Sequence, residues 1–196
     1  MIIGYHIVFT AYGFWLPNDP RGSRSRFVGA TALYGAAGPA RRAATGRSVA
    51  RVSHDRVARI KAKTQLKYPA VELSGAQALV AAAAIGSVAQ AAGVAVWACA
   101  VLPSHVHLVI SGNTRPKVFA QSCQDEADAA LALADDHPLV RHATPEGIPT
   151  AWAKKCWKTF LYEPADVYGA INYVNNNPVK EGRRRQRWSF VVAYAG

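Results

Sequence analysis

Hydrophobic and polar positions along this chain fall into two periodic patterns separated by turn-rich stretches. Short apolar runs rich in β-branched and aromatic residues lie at 5–10, 94–102, 104–111, 152–161 and 188–194, and each predicts a strand. The run at 94–102 is apolar on both faces, as in a central strand covered on one side by helices. With only Pro103 between them, 94–102 and 104–111 predict an antiparallel hairpin. Helical spacing appears in four places. Ser53 is a good cap for a short basic helix that ends before Pro69. Ser74 opens an alanine-rich helix for which Gly93 suits the C-terminal cap, and Pro116 sits in the first turn of a helix reaching about 134. The fourth helix spans 166–175, where Val167, Ala170, Ile171 and Val174 form a buried stripe. Tyr173 and Asn177 fall together on one border of that stripe, although Pro178 disfavours helical backbone at Asn177.

The order of strand, helices, two strands, helix and further elements predicts an α+β chain of the ferredoxin-like, RRM-like plan. In that plan an antiparallel sheet carries its helices on one face. A length of 196 residues suits one domain, 1–196, with a basic insertion at about 21–53 that is rich in Gly, Ala, Arg and Ser. Between Glu72 and Arg115 there is no charged residue, but the helical part of this stretch is mostly alanine broken by Gly75, Gly86, Gln77 and Gln90. It reads as a helix followed by buried strands, not as a membrane span.

Charge sharpens the picture. The net charge is +11, and residues 21–68 hold twelve Lys or Arg against the single acid Asp55, so the rest of the chain is neutral. A basic block on a neutral core is the electrostatic footprint of a polyanion, above all nucleic acid. The alternatives are a solvated basic loop and an anionic membrane surface. Within this block Arg21, Arg41, Arg42 and Arg47 are candidate phosphate contacts, and Trp15, on the loop leading into it, is a candidate base-stacking residue. Cys99, Cys123 and Cys156 fit neither a zinc pattern nor a disulfide framework and read as buried thiols in a reducing compartment. The N-terminus lacks the features of a signal peptide, so a cytoplasmic location is expected.

The chemistry lies in two motifs. His105 and His107 are two apart on a predicted strand, so both side chains leave the same face and can reach one metal ion. Taken alone such a pair is as often structural, but two buried imidazoles without partners are costly, and a metal with outer support removes that cost. Tyr173 and Asn177, four apart on a helix, can approach the same ion from a second element. A phenol of ordinary pKa near 10 is a poor nucleophile without such an activator.

Together, His105-Val-His107 after Pro103 and Tyr173-Val-x-x-Asn177-Pro178-Val-Lys180-x-Gly182 resemble the motifs of the single-tyrosine HUH transposases, closest to the REP-associated tyrosine transposases. The segments at 5–9 and 12–16 resemble that family too, so the likeness covers roughly 3–22 and 94–190. It implies the HUH endonuclease fold and a Mg²⁺- or Mn²⁺-dependent enzyme that nicks single-stranded DNA near a hairpin. Tyr173 would be the nucleophile, leaving a 5′-phosphotyrosine link and a free 3′-hydroxyl before strand transfer or rejoining. His105, His107 and Asn177 would be the metal ligands. The implied partner is single-stranded or hairpin DNA with no membrane, in a bacterial, nucleoid-associated setting. Relatives include homodimers that exchange the tyrosine helix and others that work alone. The chain departs from the family at Ser104, where an acid or amide is common, and at Arg183, Arg184 and Arg185, where an apolar residue usually follows the glycine. Lys180, Arg183 and Arg184 thereby place positive charge beside the helix, suited to a DNA backbone. Val109 excludes a His-x-His-x-His nucleotidyl hydrolase, and no paired His-x-Ser/Thr motif is present. The rival of a different class is a hairpin-binding module of the same fold without catalysis.

Overall fold

A computed structural model of the chain describes residues 1–14, 16, 35 and 56–196. Apart from Gly35, the basic insertion lies outside the described residues, as do Trp15, Arg21, Arg41, Arg42 and Arg47. The backbone divides into two compact units, one made of Met1–Tyr12 with Val71–Gly196, the other of Gly13–Ala70. In the second unit, helix α1 (Arg56–Thr64) occupies the expected basic segment.

The first unit is a four-stranded antiparallel sheet of β1 (Gly4–Ala11), β2 (Val96–Leu102), β3 (His105–Ser111) and β4 (Trp152–Leu161), in the order β2-β3-β1-β4. That order and the intervening helices are those of the expected α+β, ferredoxin-like plan. Alternation decides what each face meets. Ile7, Phe9, Cys99, Val101, Val106, Leu108 and Ile110 are buried. Their register places them on one face, with Ile7 opposite Leu108 and Cys99 opposite Leu108 on its other side. Helices α2 (Gly75–Ala91) and α3 (Pro116–Leu133) cover this face. Burial, and after it the charge of Cys123 on α3, raises the Cys99 thiol far above its ordinary range. The free cysteines Cys99 and Cys123 are buried as expected, while Cys156 is half-buried.

The opposite face carries small residues where a helix crosses it. Ala98, Ala100 and Val109 pack with Leu161 and with Val167, Ala170 and Val174 of helix α4 (Pro164–Lys180). Alanines on β2 let α4 approach closely enough to bring its polar border over β3.

Two element boundaries differ from the sequence reading. Helix α4 begins at Pro164 and runs through Pro178 to Lys180. At its start, Asp166 Oδ2 accepts from the Tyr162 and Glu163 amides in a reciprocal cap with Glu163. At its end, Gly182 adopts φ +72°, the Arg183 N–H donates to the Pro178 carbonyl at 2.9 Å and the Gly182 N–H donates to Val179 at 3.0 Å. This Schellman closure tethers Pro178 from the far side, so the helix passes it and stops two residues later. The expected strand at 188–194 is the second difference. This segment makes only a single bridge, Val191 with Val96, and is fixed to the β2 edge by side chains instead. Gln186 Oε1 accepts from the Val101 N–H at 2.8 Å, its Nε2 donates to the Val101 carbonyl at 2.7 Å, and Trp188 Nε1 donates to Cys99 at 3.1 Å. Among the described residues, no helix is long and apolar enough to cross a membrane.

Candidate active site

β3 and α4 build the site together. His105 and His107 are buried and point from β3 toward α4, in the same row as Val109. Asn177, 7% exposed, turns inward from the last full turn of α4 and sets its Nδ2 2.8 Å from His107 Nε2. Tyr173, one turn earlier, is 45% exposed, with its ring edge-on to His107 at 5.6 Å between centroids. The border position read from helical phasing thus splits in two: Asn177 is on the buried side and Tyr173 on the open side. Helical backbone through Pro178 makes this geometry regular, because Asn177 keeps the i+4 relation to Tyr173.

Outer contacts orient the imidazoles. Ser104, in place of an acid or amide, reaches His105 Nδ1 at 3.2 Å. His107 Nδ1 meets His6 Nε2 at 3.0 Å. His6, on β1, was not among the motif residues. Alternation along β1 could place it on a face, but only the β1–β3 register, with His6 opposite Val109 and Val8 opposite His107, sets it beside the pair. Two rings of the cluster, His6 and His107, have lowered pKa values. Burial pushes His6 down to about 4, and burial, then the charges of His105, His6 and Lys180, hold His107 well below the ordinary histidine range.

Lys180 places its ammonium 4.5 Å above the Tyr173 ring, so this predicted phosphate contact sits at the nucleophile candidate itself. Arg183 and Arg184 are exposed just beyond the helix end. Arg185, the third of that run, donates to Asn176 Oδ1 at 2.6 Å and ties the basic segment back onto α4. Among the other tryptophans, Trp152 is buried against Phe9, while Trp157 and Trp188 are half-buried. His137 is a structural residue, buried and paired with Asp128 at 3.2 Å.

Among the described residues no group of three or more His, Cys, Asp or Glu is placed to hold a metal ion. The donor set is two imidazoles and an amide, and its members fit a divalent ion in one respect and constrain it in another. Asn177 Nδ2, which donates and does not ligate, lies 2.8 Å from His107 Nε2, so the same amide turned over would offer its carbonyl oxygen to an ion beside that nitrogen. Imidazole donors suit Mn²⁺ and its first-row neighbours better than Mg²⁺, which prefers oxygen. Since no donor carries negative charge, an ion held here would keep its full charge for an anionic substrate.

No family model matches the sequence, and no curated protein matches it. Among solved structures, the chain is similar to a REP-associated tyrosine transposase bound to a REP hairpin. The identity is 14%, the TM-score 0.48, and the alignment covers 96% of this chain and 74% of that one.

Proposed function

We propose that this protein is a tyrosine transposase of the HUH type, a metal-dependent endonuclease acting on single-stranded or hairpin DNA. The observation that carries the reading is the convergence of four side chains from β3 and α4: His105, His107 and Asn177 buried around one point, and Tyr173 at its open edge. An exposed phenol beside a buried set of neutral metal donors is the arrangement a phosphodiester needs, since the phosphate arrives from solvent and supplies the missing negative charge.

In the reaction, the Tyr173 oxygen attacks the phosphorus and loses its proton. The new O–P bond forms as the P–O3′ bond breaks, and the leaving 3′-oxygen takes up a proton to become a 3′-hydroxyl, with the 5′-phosphate held on Tyr173. A divalent ion, Mn²⁺ or Mg²⁺, held by His105, His107 and Asn177 would polarise a phosphoryl oxygen. Lys180, over the Tyr173 ring, favours the developing phenolate and the phosphate alike. The lowered pKa of His107 keeps its lone pair for coordination through neutral pH. Strand transfer is the reverse attack by a 3′-hydroxyl on the phosphotyrosine.

The test is incubation with hairpin-bearing single-stranded DNA and Mn²⁺ or Mg²⁺, scored for a covalent protein–DNA band. Tyr173→Phe is expected to abolish the band while DNA affinity stays within about twofold, because the lost group acts in the reaction and not in binding. Hairpin binding by the wild type with no band would establish the non-catalytic module instead.

A further inference from the structure

His6 is a polar side chain to which no role has been given and which the reaction above does not use. Its ring meets His107 edge to edge, 5.2 Å between centroids and 26° between planes, with Nε2 3.0 Å from His107 Nδ1. A neutral imidazole has one N–H and one lone pair, so the two contacts of His107 are not independent. Asn177 presents Nδ2, which only donates, to His107 Nε2. Nε2 therefore accepts, the His107 proton sits on Nδ1, and the His6 Nε2 lone pair receives it.

We propose that His6 is a positioning residue that fixes the tautomer of His107, keeping the proton on Nδ1 and the lone pair on Nε2, directed at Asn177. Without an acceptor at position 6, a buried Nδ1–H would be left unpaired, which is unfavourable. His107 relieves that cost by moving its proton to Nε2 and donating to a rotated Asn177 carbonyl. The lone pair then lies on the wrong nitrogen. Resting on the metal reading of His107 and Asn177, the consequence is that His6 spares metal binding a proton shift within the ring.

Long-range ¹H–¹⁵N spectra of the full chain, without metal or DNA, read the tautomer directly. His107 is expected as Nδ1–H in the wild type and in His6→Gln, whose amide oxygen accepts in the same place. In His6→Phe, which keeps an aromatic ring and removes the acceptor, it is expected as Nε2–H. A wild-type spectrum with the proton on Nε2 overturns the proposal, as does an unchanged tautomer in His6→Phe. A Mn²⁺ titration followed by paramagnetic resonance adds a second readout. His6→Phe is expected to weaken binding by about 10–100-fold and His6→Gln by less than about threefold. Equal losses in both variants would assign His6 to packing and overturn the hydrogen-bond role. If the wild type binds no Mn²⁺, the metal reading fails on its own, and the tautomer spectra still decide the role of His6.

Discussion

His107 is the side chain on which the site turns, since it touches His6 at one nitrogen, Asn177 at the other, and the Tyr173 ring at its edge. Its neutrality has a measurable consequence. The folded-state values of His6 and His107 lie below that of an unfolded histidine, so the unfolded chain binds more protons as pH falls below about 6.5. Stability contributed by these groups is therefore full above pH 6.5 and lost progressively as pH drops. For His6 the loss runs to about pH 4 and amounts to about 3 kcal/mol. Denaturant unfolding of the metal-free protein between pH 7 and pH 4 checks this, and His6→Gln is expected to flatten part of the slope. A profile as steep in that variant would place the titration elsewhere. His105 and His107 were legible in the sequence because a two-residue repeat on a strand settles their common face. His6 was legible only as a structural or surface residue that could lie in a strand beside the site, because its partner is 101 positions away and only the register of β1 against β3 joins them.

At the scale of elements, α4 shows why a local rule misplaced a boundary. The preference against helix before proline argued for an end near 175, yet Asn177 and Pro178 are buried and the turn is closed beyond them by Gly182 and Arg183. Packing and a good C-terminal closure outweigh the local penalty, and the candidate site depends on that outcome. The segment at 188–194 has the composition of a strand, but beyond one backbone bond, from the Val192 N–H to the Val96 carbonyl, it is held to β2 by the Gln186 and Trp188 side chains, which no alternation pattern encodes. Phe190 of this segment lies against Gly86 of α2, where an added Cβ would sit 2.7 Å from Phe190 Cδ1 and 3.0 Å from Cγ. Gly86→Ala sets a helix-propensity gain of about 1 kcal/mol against that clash. The clash is expected to win, because ring atoms near the Phe190 backbone cannot swing aside. Tm should fall by about 2–4 °C for each kcal/mol of net loss. Pairing the change with Phe190→Ala should let the helix gain emerge; a higher Tm for Gly86→Ala alone would mean that the C-terminal segment yields freely.

Over the whole molecule, charge and chemistry are distributed unequally. All of the net +11 can be assigned to residues 21–68, while the neutral remainder contains the sheet, α4 and the four candidate site residues. The ferredoxin-like order was legible because its strands and helices have distinct periods, and the hairpin at 96–111 fixes the centre of the sheet. DNA binding through the basic segment predicts a strong salt dependence. Neutralising Arg41, Arg42 and Arg47 together should lower the slope of log affinity against log salt for single-stranded DNA by about 2. An unchanged slope would remove those three residues from the phosphate contacts. Lys180, over Tyr173, belongs to the site and not to that block, so its replacement should affect adduct formation more than the salt slope.

The account is tested most directly by locating the covalent bond. Wild-type protein incubated with hairpin-bearing single-stranded DNA and Mn²⁺, digested by nuclease and protease, should yield by tandem mass spectrometry one nucleotide-modified peptide, with the phosphate on Tyr173. Attachment to another exposed tyrosine, such as Tyr168 or Tyr162, or no modified peptide from DNA that the protein binds, would contradict it.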